Sequence, residues 1–395
     1  MYQPSDPNLS FTLPDRVAEF RKSLAPMESL KTLKLTGAIV KMTLFTLFLP
    51  LAPNLQKLSI NVNGVHEDFI GKIASISPQL QSLKLTSKDV YSVDQLIEDI
   101  AYYFPGLRQL DLSLSSGHPS LADDQSLSKL FEVNSGMLTS LRLERTGLNI
   151  QGLVSLGKYV SKNLEQLKLH ESFHSHDSEL VAALEEVLKR CGKSLKILDL
   201  RDISSPLEAR IGELIAQYCT SLEELSLGAH NFTEASLLSI VQQCATRLRK
   251  LSLNGGSGIT PNVVQIITER CHLIQDLRIP ASPRRSKNQA PLDSNILIPL
   301  IQKHGARLTH LNVKYWTITN DILDAISTHC ARSLRVLRIE RNDTLTRSTL
   351  SKTLKSCLSL VSVDLLETTS SWSLPGSIEM EAEHRSILDD NCWYD

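Results

Sequence analysis

The chain has 395 residues, with 42 Lys and Arg against 43 Asp and Glu, a formal net charge of −1. That balance argues against a general attraction to nucleic acid or to an anionic membrane. The length exceeds the roughly 250–300 residues at which one hydrophobic core stops growing, so the chain either divides into domains or repeats a unit that packs only on its neighbours.

The first residues, MYQPSDPNLS, lack the basic and then apolar order of an export signal. Residues 1–29 read as an N-terminal segment ending in a capping helix. The most apolar stretch, Ile39 to Pro53, is broken by Lys41, Thr43, Thr46, Pro50 and Pro53. It is shorter than the roughly 20 apolar residues a membrane helix needs. These features predict a soluble monomer of the cytoplasm, the nucleus or both, in which the sequons at Asn8, Asn231 and Asn342 go unused.

From residue 30 the pattern L-x-x-L-x-L recurs. Its first aliphatic falls at Leu30, Leu55, Leu80, Leu107, Leu138, Leu164, Leu195, Leu222, Leu248, Ile274, Leu308, Leu334 and Leu360. Thirteen copies at a mean spacing of about 27.5 residues predict a leucine-rich-repeat solenoid over 30–365, an α/β horseshoe with a parallel concave sheet and convex helices. Alternation at the end of each motif is that of a short strand with one buried face, so the residue between the last two aliphatics should face solvent. That position holds Lys34, Ser59, Lys84, Asp111, Arg142, Lys168, Asp199, Ser226, Ser252, Arg278, Asn312, Arg338 and Asp364, none of them apolar.

Between strands the period turns helical, as at Ile211, Leu214, Ile215, Tyr218 and Cys219. Thr233, Thr260 and Thr319 are placed to cap helices, with Pro261 at a first helical position. Cys191, Cys219, Cys244, Cys271, Cys330 and Cys357 each stand three or four residues before the next strand motif. They read as buried thiols packing the seam between repeats, because no C-x-x-C pair suggests a metal.

Segments 231–244 (NFTEASLLSIVQQC), 258–271 (GITPNVVQIITERC) and 317–330 (TITNDILDAISTHC) resemble the cysteine-containing class of leucine-rich repeats. That class is best known from F-box/leucine-rich-repeat proteins, the substrate receptors of cullin-RING ubiquitin ligases. The resemblance implies a protein-binding scaffold that selects targets on its concave face, with ligase components as further partners. It covers 180–365 well and 30–179 more loosely. An F-box is not expected in residues 1–29: Leu13-Pro14 followed by Asp15 to Leu24 only faintly resembles its opening, and one capping helix uses that length better.

Chemical motifs are sparse. His170, Glu171 and His174 match H-E-x-x-H, with His176 as a further ligand, which would make a zinc enzyme if the segment were helical. The segment follows strand residues Leu167 and Leu169 and is rich in serine, so a polar loop is expected, with no metal, no cofactor and no catalytic residue. Gly152 to Lys158 resembles a phosphate loop, but Tyr159 stands where Ser or Thr should, and Leu153, Leu156 and Val160 have helical spacing. The residues expected to bind a protein target are Lys84, Asp111, Arg142, Lys168, Asp199, Arg278, Asn312 and Arg338. Two long loops, 113–125 and 280–291, are alternative sites, the second carrying Arg284, Arg285 and Lys287. Regulators resembling Ran-type GTPase activators or ribonuclease inhibitor are the competing class. Residues 366–395 read as a C-terminal cap, through Trp372, Trp393 and Tyr394, or as a loose tail.

Overall fold

The computed structural model describes residues 27–40, 49–114, 124–170, 178–201, 208–228, 232–254, 258–281, 294–341 and 345–367. The chain divides into two compact units, Met1–Gly147 and Leu148–Asp395. In the first unit five strands lie parallel in chain order: β1 (Thr32–Val40), β2 (Lys57–Val65), β3 (Ser82–Val90), β4 (Gln109–Leu114) and β5 (Ser140–Glu144). Among the described residues three α-helices separate β2 to β5: α1 (Phe69–Ile76), α2 (Val93–Tyr103) and α3 (Asp124–Val133), and a 3-10 turn, Leu49–Leu51, precedes β2.

The second unit opens on α4 (Ile150–Tyr159) and continues β6 (Gln166–His170), α5 (Ser178–Cys191), β7 (Ile197–Leu200), α6 (Glu208–Tyr218), β8 (Glu224–Gly228) and α7 (Glu234–Cys244). There follow β9 (Lys250–Asn254), α8 (Pro261–Arg270), β10 (Asp276–Arg278), α9 (Leu297–His304), β11 (His310–Val313), α10 (Asn320–His329), β12 (Val336–Arg341), α11 (Arg347–Ser356) and β13 (Ser362–Glu367). Its eight strands are again parallel and in sequence order. Strand order equal to chain order, with an α-helix between neighbours from β2 onward, is the leucine-rich-repeat arrangement that the spacing predicts.

The pairing register is the register of the sequence motif. Leu58, Leu83, Leu110 and Leu141 are successive partners in the first unit. Leu198, Leu225, Leu251, Leu277, Leu311 and Leu337 are successive partners in the second. Each of these leucines is almost fully buried, which stabilises by about 1.5–3 kcal/mol per side chain relative to exposure. A slip of one residue would turn the row outward, so the hydrophobic pattern fixes the register. The helices bring the other wall of the core, as with Ile211, Leu214 and Ile215 of α6.

Helix starts follow the local chemistry. The side chains of Thr233, Thr260 and Thr319 accept from the backbone N–H groups of Ser236, Val263 and Ile322, and Pro261 opens α8. Ser92, Asn149 and Thr346 do the same for α2, α4 and α11, which spacing alone did not single out. The Gly152/Gly157 pair lies inside α4, with the Gly152 N–H donating to Asn149 Oδ1 and Leu153 and Leu156 buried. It is a helix segment, not a phosphate cradle.

All six cysteines of the helix ends are free and buried. Burial pushes the thiols of Cys191, Cys244, Cys271 and Cys330 up to about 12. Cys244 Sγ donates to the carbonyl of Cys219 one repeat earlier, 3.1 Å away. In the α9 repeat, which lacks the cysteine, His304 takes the same place, its Nε2 2.9 Å from the Thr268 carbonyl. In the first unit Ser77 donates to Ala52 O at 3.2 Å, and Asn134 Oδ1 accepts from the Leu107 N–H at 2.8 Å. What this place demands is a small or hydrogen-bonding group that satisfies backbone atoms at a helix end, and thiol, hydroxyl, amide and imidazole all serve.

Candidate binding face

Because side chains alternate across a strand, the residue between two core leucines and those two positions away share the outer face of the sheet. In the first unit Lys34, Ser59, Lys84, Asp111 and Arg142 are successive register partners and form one row. In the second, Lys168, Asp199, Ser226, Ser252, Arg278, Asn312, Arg338 and Asp364 form another. Every strand-borne binding residue expected from the sequence lies in one of these rows.

Exposure departs from expectation. Asp199, Ser226 and Asn312 are only 6% exposed and Ser252 only 3%, so a uniformly solvent-facing row is corrected to one with buried polar stretches. Residues two apart on a strand share a face and neighbouring strands stand only about 4.8 Å away, so long side chains at flanking positions close over short ones. Arg201 does this to Asp199, donating through Nε to Oδ1 at 3.0 Å and through Nη2 to Oδ2 at 2.9 Å.

The same fork recurs on β10 with its order reversed. Arg278 Nε donates to Asp276 Oδ1 at 2.9 Å and Nη2 to Asp276 Oδ2 at 3.0 Å. Such paired, charge-assisted bonds fix the plane of a guanidinium more firmly than a single ion pair could. Lys314, just beyond β11, reaches Asp364 of β13 at 2.9 Å. In the first unit Asp111 lies 3.4 Å from Lys84 and 3.7 Å from Arg142, and Arg142 donates to Glu144 at 2.6 Å. Acids thus stand beside bases in both rows, and the bases are in excess: Lys34, Lys84 and Arg142 against Asp111 in the first, and Lys168, Arg278 and Arg338 against Asp199 and Asp364 in the second.

Over β10 to β12 the face dips into a shallow depression lined by Arg278, His310, Leu311, Asn312, Val336 and Arg338. Burial holds the His310 imidazole below its usual value, and nearby Arg278, Lys250 and Arg335 push the same way against the opposing pull of Asp276. The ring is therefore neutral at pH 7. Sequence reasoning found Arg278, Asn312 and Arg338 but passed over Glu144, Arg201, Asp276, His310 and Lys314. Their signal was their spacing, two residues from the central row in each strand or just beyond its end.

The H-E-x-x-H match does not begin as a helix: His170 is the last residue of β6, and Glu171, His174 and His176 lie outside the described residues. Among the described residues no cluster of His, Cys, Asp and Glu could hold a metal ion. No described helix is long and apolar enough to cross a membrane. Arg284, Arg285 and Lys287, residues 115–123 of the other loop, residues 1–26 and the tail with Trp372, Trp393 and Tyr394 are likewise outside the described residues.

No family model matches the chain. A Caenorhabditis elegans protein whose name describes it as an RNA-binding protein, EEED8.10, is 28% identical over 218 residues, 55% of this chain and 27% of its own length. The chain thus matches about a quarter of that relative. Among solved structures, a chain of the yeast Rad7 and Elc1 complex superposes with a TM-score of 0.63 at 18% identity, over 81% of this chain and 78% of its own. At that identity the likeness is one of fold, and it agrees with the leucine-rich-repeat arrangement.

Proposed function

We propose that the chain is a protein-capture scaffold, which holds a target on the outer rows of its sheet and serves a cullin-RING ubiquitin ligase as substrate receptor. The observation that carries this reading is the pair of rows themselves. Lys84, Asp111 and Arg142 in one unit, and Lys168 to Arg338 in the other, present fixed charges of both signs on rigid strands. Complementary charge of this kind selects among protein partners and speeds their encounter. The repeats' resemblance to F-box/leucine-rich-repeat proteins supports the ligase assignment, and the yeast protein of similar fold was crystallised in a complex with Elc1. In this reading the chain performs no chemistry of its own.

The test is affinity capture by the full chain against Arg142→Glu and Lys168→Glu, separately and together, with cross-linking and mass spectrometry. A target and a ligase adaptor recovered with wild type, the target being lost from variants that circular dichroism shows to be still folded at the assay temperature, is the expected result. The nematode relative's name makes RNA the competing ligand. Recovery of RNA with no protein target would refute the proposal.

A further inference from the structure

We propose that one edge of the second unit, where α7 to α10 end and β9 to β12 begin, binds the phosphate backbone of a double-stranded nucleic acid. Residues 245–250, 269–276, 302–310 and 328–336 form this edge and carry eight Lys and Arg against two carboxylates, Glu269 and Asp276. The near-zero net charge of the whole chain hides that concentration. Protein capture uses the outer face of the sheet, so the edge neither requires it nor replaces it.

Backbone bonds stack the edge in register. The Gln275 N–H donates to the Arg249 carbonyl, Thr309 to Gln275 and Arg335 to Thr309. Arg249 and Arg335 are therefore three strand spacings, or roughly 14 Å, apart. Arg247 and Arg307 each stand directly before the first aliphatic of a motif, and Arg332 one residue earlier in its own loop. Arg270 and Lys303 lie in the last turns of α8 and α9. Every one of these seven is exposed, and each repeat supplies at least one of them.

Most of this charge is unspent. Arg249 stands 3.9 Å from Glu223 and Lys250 4.0 Å from Glu224, while Asp276 is taken by Arg278. Arg307 donates to the His272 carbonyl at 2.7 Å and Lys303 to the Glu269 carbonyl at 3.3 Å. Those bonds tie each cation to the preceding repeat but leave its charge unopposed. Among the described residues, Arg247, Arg270, Arg332 and Arg335 have no carboxylate within ion-pair distance. The last acid, Glu269, accepts from Gln265 at 2.9 Å. Cations at helix C-termini answer the helix dipole, which accounts for Arg270 and Lys303 but not for Arg335 beside the strand.

The sign and make-up of the edge select the partner. Acids standing beside bases, as in the outer rows, suit a protein surface, whereas a run of one sign suits a polyanion. Arginine dominates the run, and its planar fork matches a phosphate. No Trp, Tyr or Phe stands on the edge to stack unpaired bases, as a single strand would require. A duplex, with its bases already stacked, needs only contacts to its backbone. Nor is any large apolar side chain exposed along the edge to enter a lipid surface, the exposed Leu358 and Val361 lying in the next repeat.

Binding of a labelled DNA duplex to the full chain is measured by fluorescence anisotropy from about 50 to 200 mM salt, beside its unpaired strand, polyglutamate and anionic vesicles. Wild type should prefer the duplex, with an affinity that falls linearly with salt on logarithmic axes. The double variant Arg247→Gln, Arg332→Gln removes two side chains that make no hydrogen bond or ion pair among the described residues, so its fold should persist by circular dichroism. It should bind the duplex roughly tenfold more weakly for each arginine near 0.1 M salt, with a salt slope shallower by roughly 2. Lys72→Gln, Lys129→Gln removes the same charge from α1 and α3 and should match wild type. Absence of duplex binding, an equal loss in both double variants, or tighter binding of the unpaired strand, polyglutamate or vesicles overturns the proposal. Protein targets should still be recovered by Arg247→Gln, Arg332→Gln, so either reading can fail without the other.

Discussion

Replacing Gly212 with alanine sets helix propensity against packing, and the structure decides the sign. Gly212 lies inside α6, where alanine in place of glycine is worth about 1 kcal/mol to an exposed helix. A Cβ there would stand 2.8 Å from Ser236 Cβ, 3.3 Å from Phe232 Cε1 and 3.4 Å from Ile240 Cδ1. Carbon atoms pack at about 3.5–4.0 Å. Ser236 cannot step aside cheaply, because it is 4% exposed and its N–H and Oγ are bonded to Thr233 at the start of α7. Overpacking of this kind costs about 1–3 kcal/mol, and loosening the cap adds up to about 1 more. Set against the propensity gain, the net expectation is a loss of up to about 3 kcal/mol, with about 1.5 as its middle value. Urea unfolding followed by circular dichroism reads this as a lower midpoint with an unchanged slope. Gly106→Ala is the control: it has open space at its Cβ and should be neutral or slightly stabilising. Gly212→Ala at or above the wild-type midpoint would show that α6 and α7 do not approach as described.

Arg201→Ala removes the guanidinium fork from buried Asp199, leaving the backbone N–H of residue 201 on Oδ1, and should cost about 1–3 kcal/mol, more than its loss of apolar surface explains; a variant as stable as wild type in urea would mean the fork contributes nothing. His304 and His310 both have pKa values lowered chiefly by burial. The unfolded chain therefore takes up protons that the folded chain refuses once pH falls below about 6.5, so stability is complete above that value and declines as pH drops toward the folded values. Thermal midpoints from pH 7.5 to 5.5 should fall, and less so in His304→Asn; a flat profile, or an equal fall in the variant, would contradict it. The six buried thiols should resist iodoacetamide at pH 8 in the native protein and react in urea, with peptide mapping to tell them apart. Modification of Cys219 or Cys271 without denaturant would count against the packing of the helix ends.

The sequence alone determined the strands, their order and their register. Each L-x-x-L-x-L both marks a strand and says which of its faces is buried, and a parallel sheet built from short repeats has only one way to stack such strands. It also determined the threonine caps and the buried cysteines, because these depend on residues a few positions apart. The tertiary structure decided what stands across from what. That Arg201 closes over Asp199 and that Arg278 is bound by Asp276 follow from residues two apart on one strand sharing a face, with the tertiary packing deciding which such pairs close; that Lys314 reaches Asp364 two strands away follows from the roughly 4.8 Å strand spacing, which brings together residues that share no sequence motif. The same spacing buried four polar residues that alternation had assigned to solvent. Likewise His304, Asn134 and Ser77 take the place of a cysteine because the site selects a hydrogen-bonding group at a helix end, a requirement visible only once the carbonyls and N–H groups of the preceding repeat lie beside it.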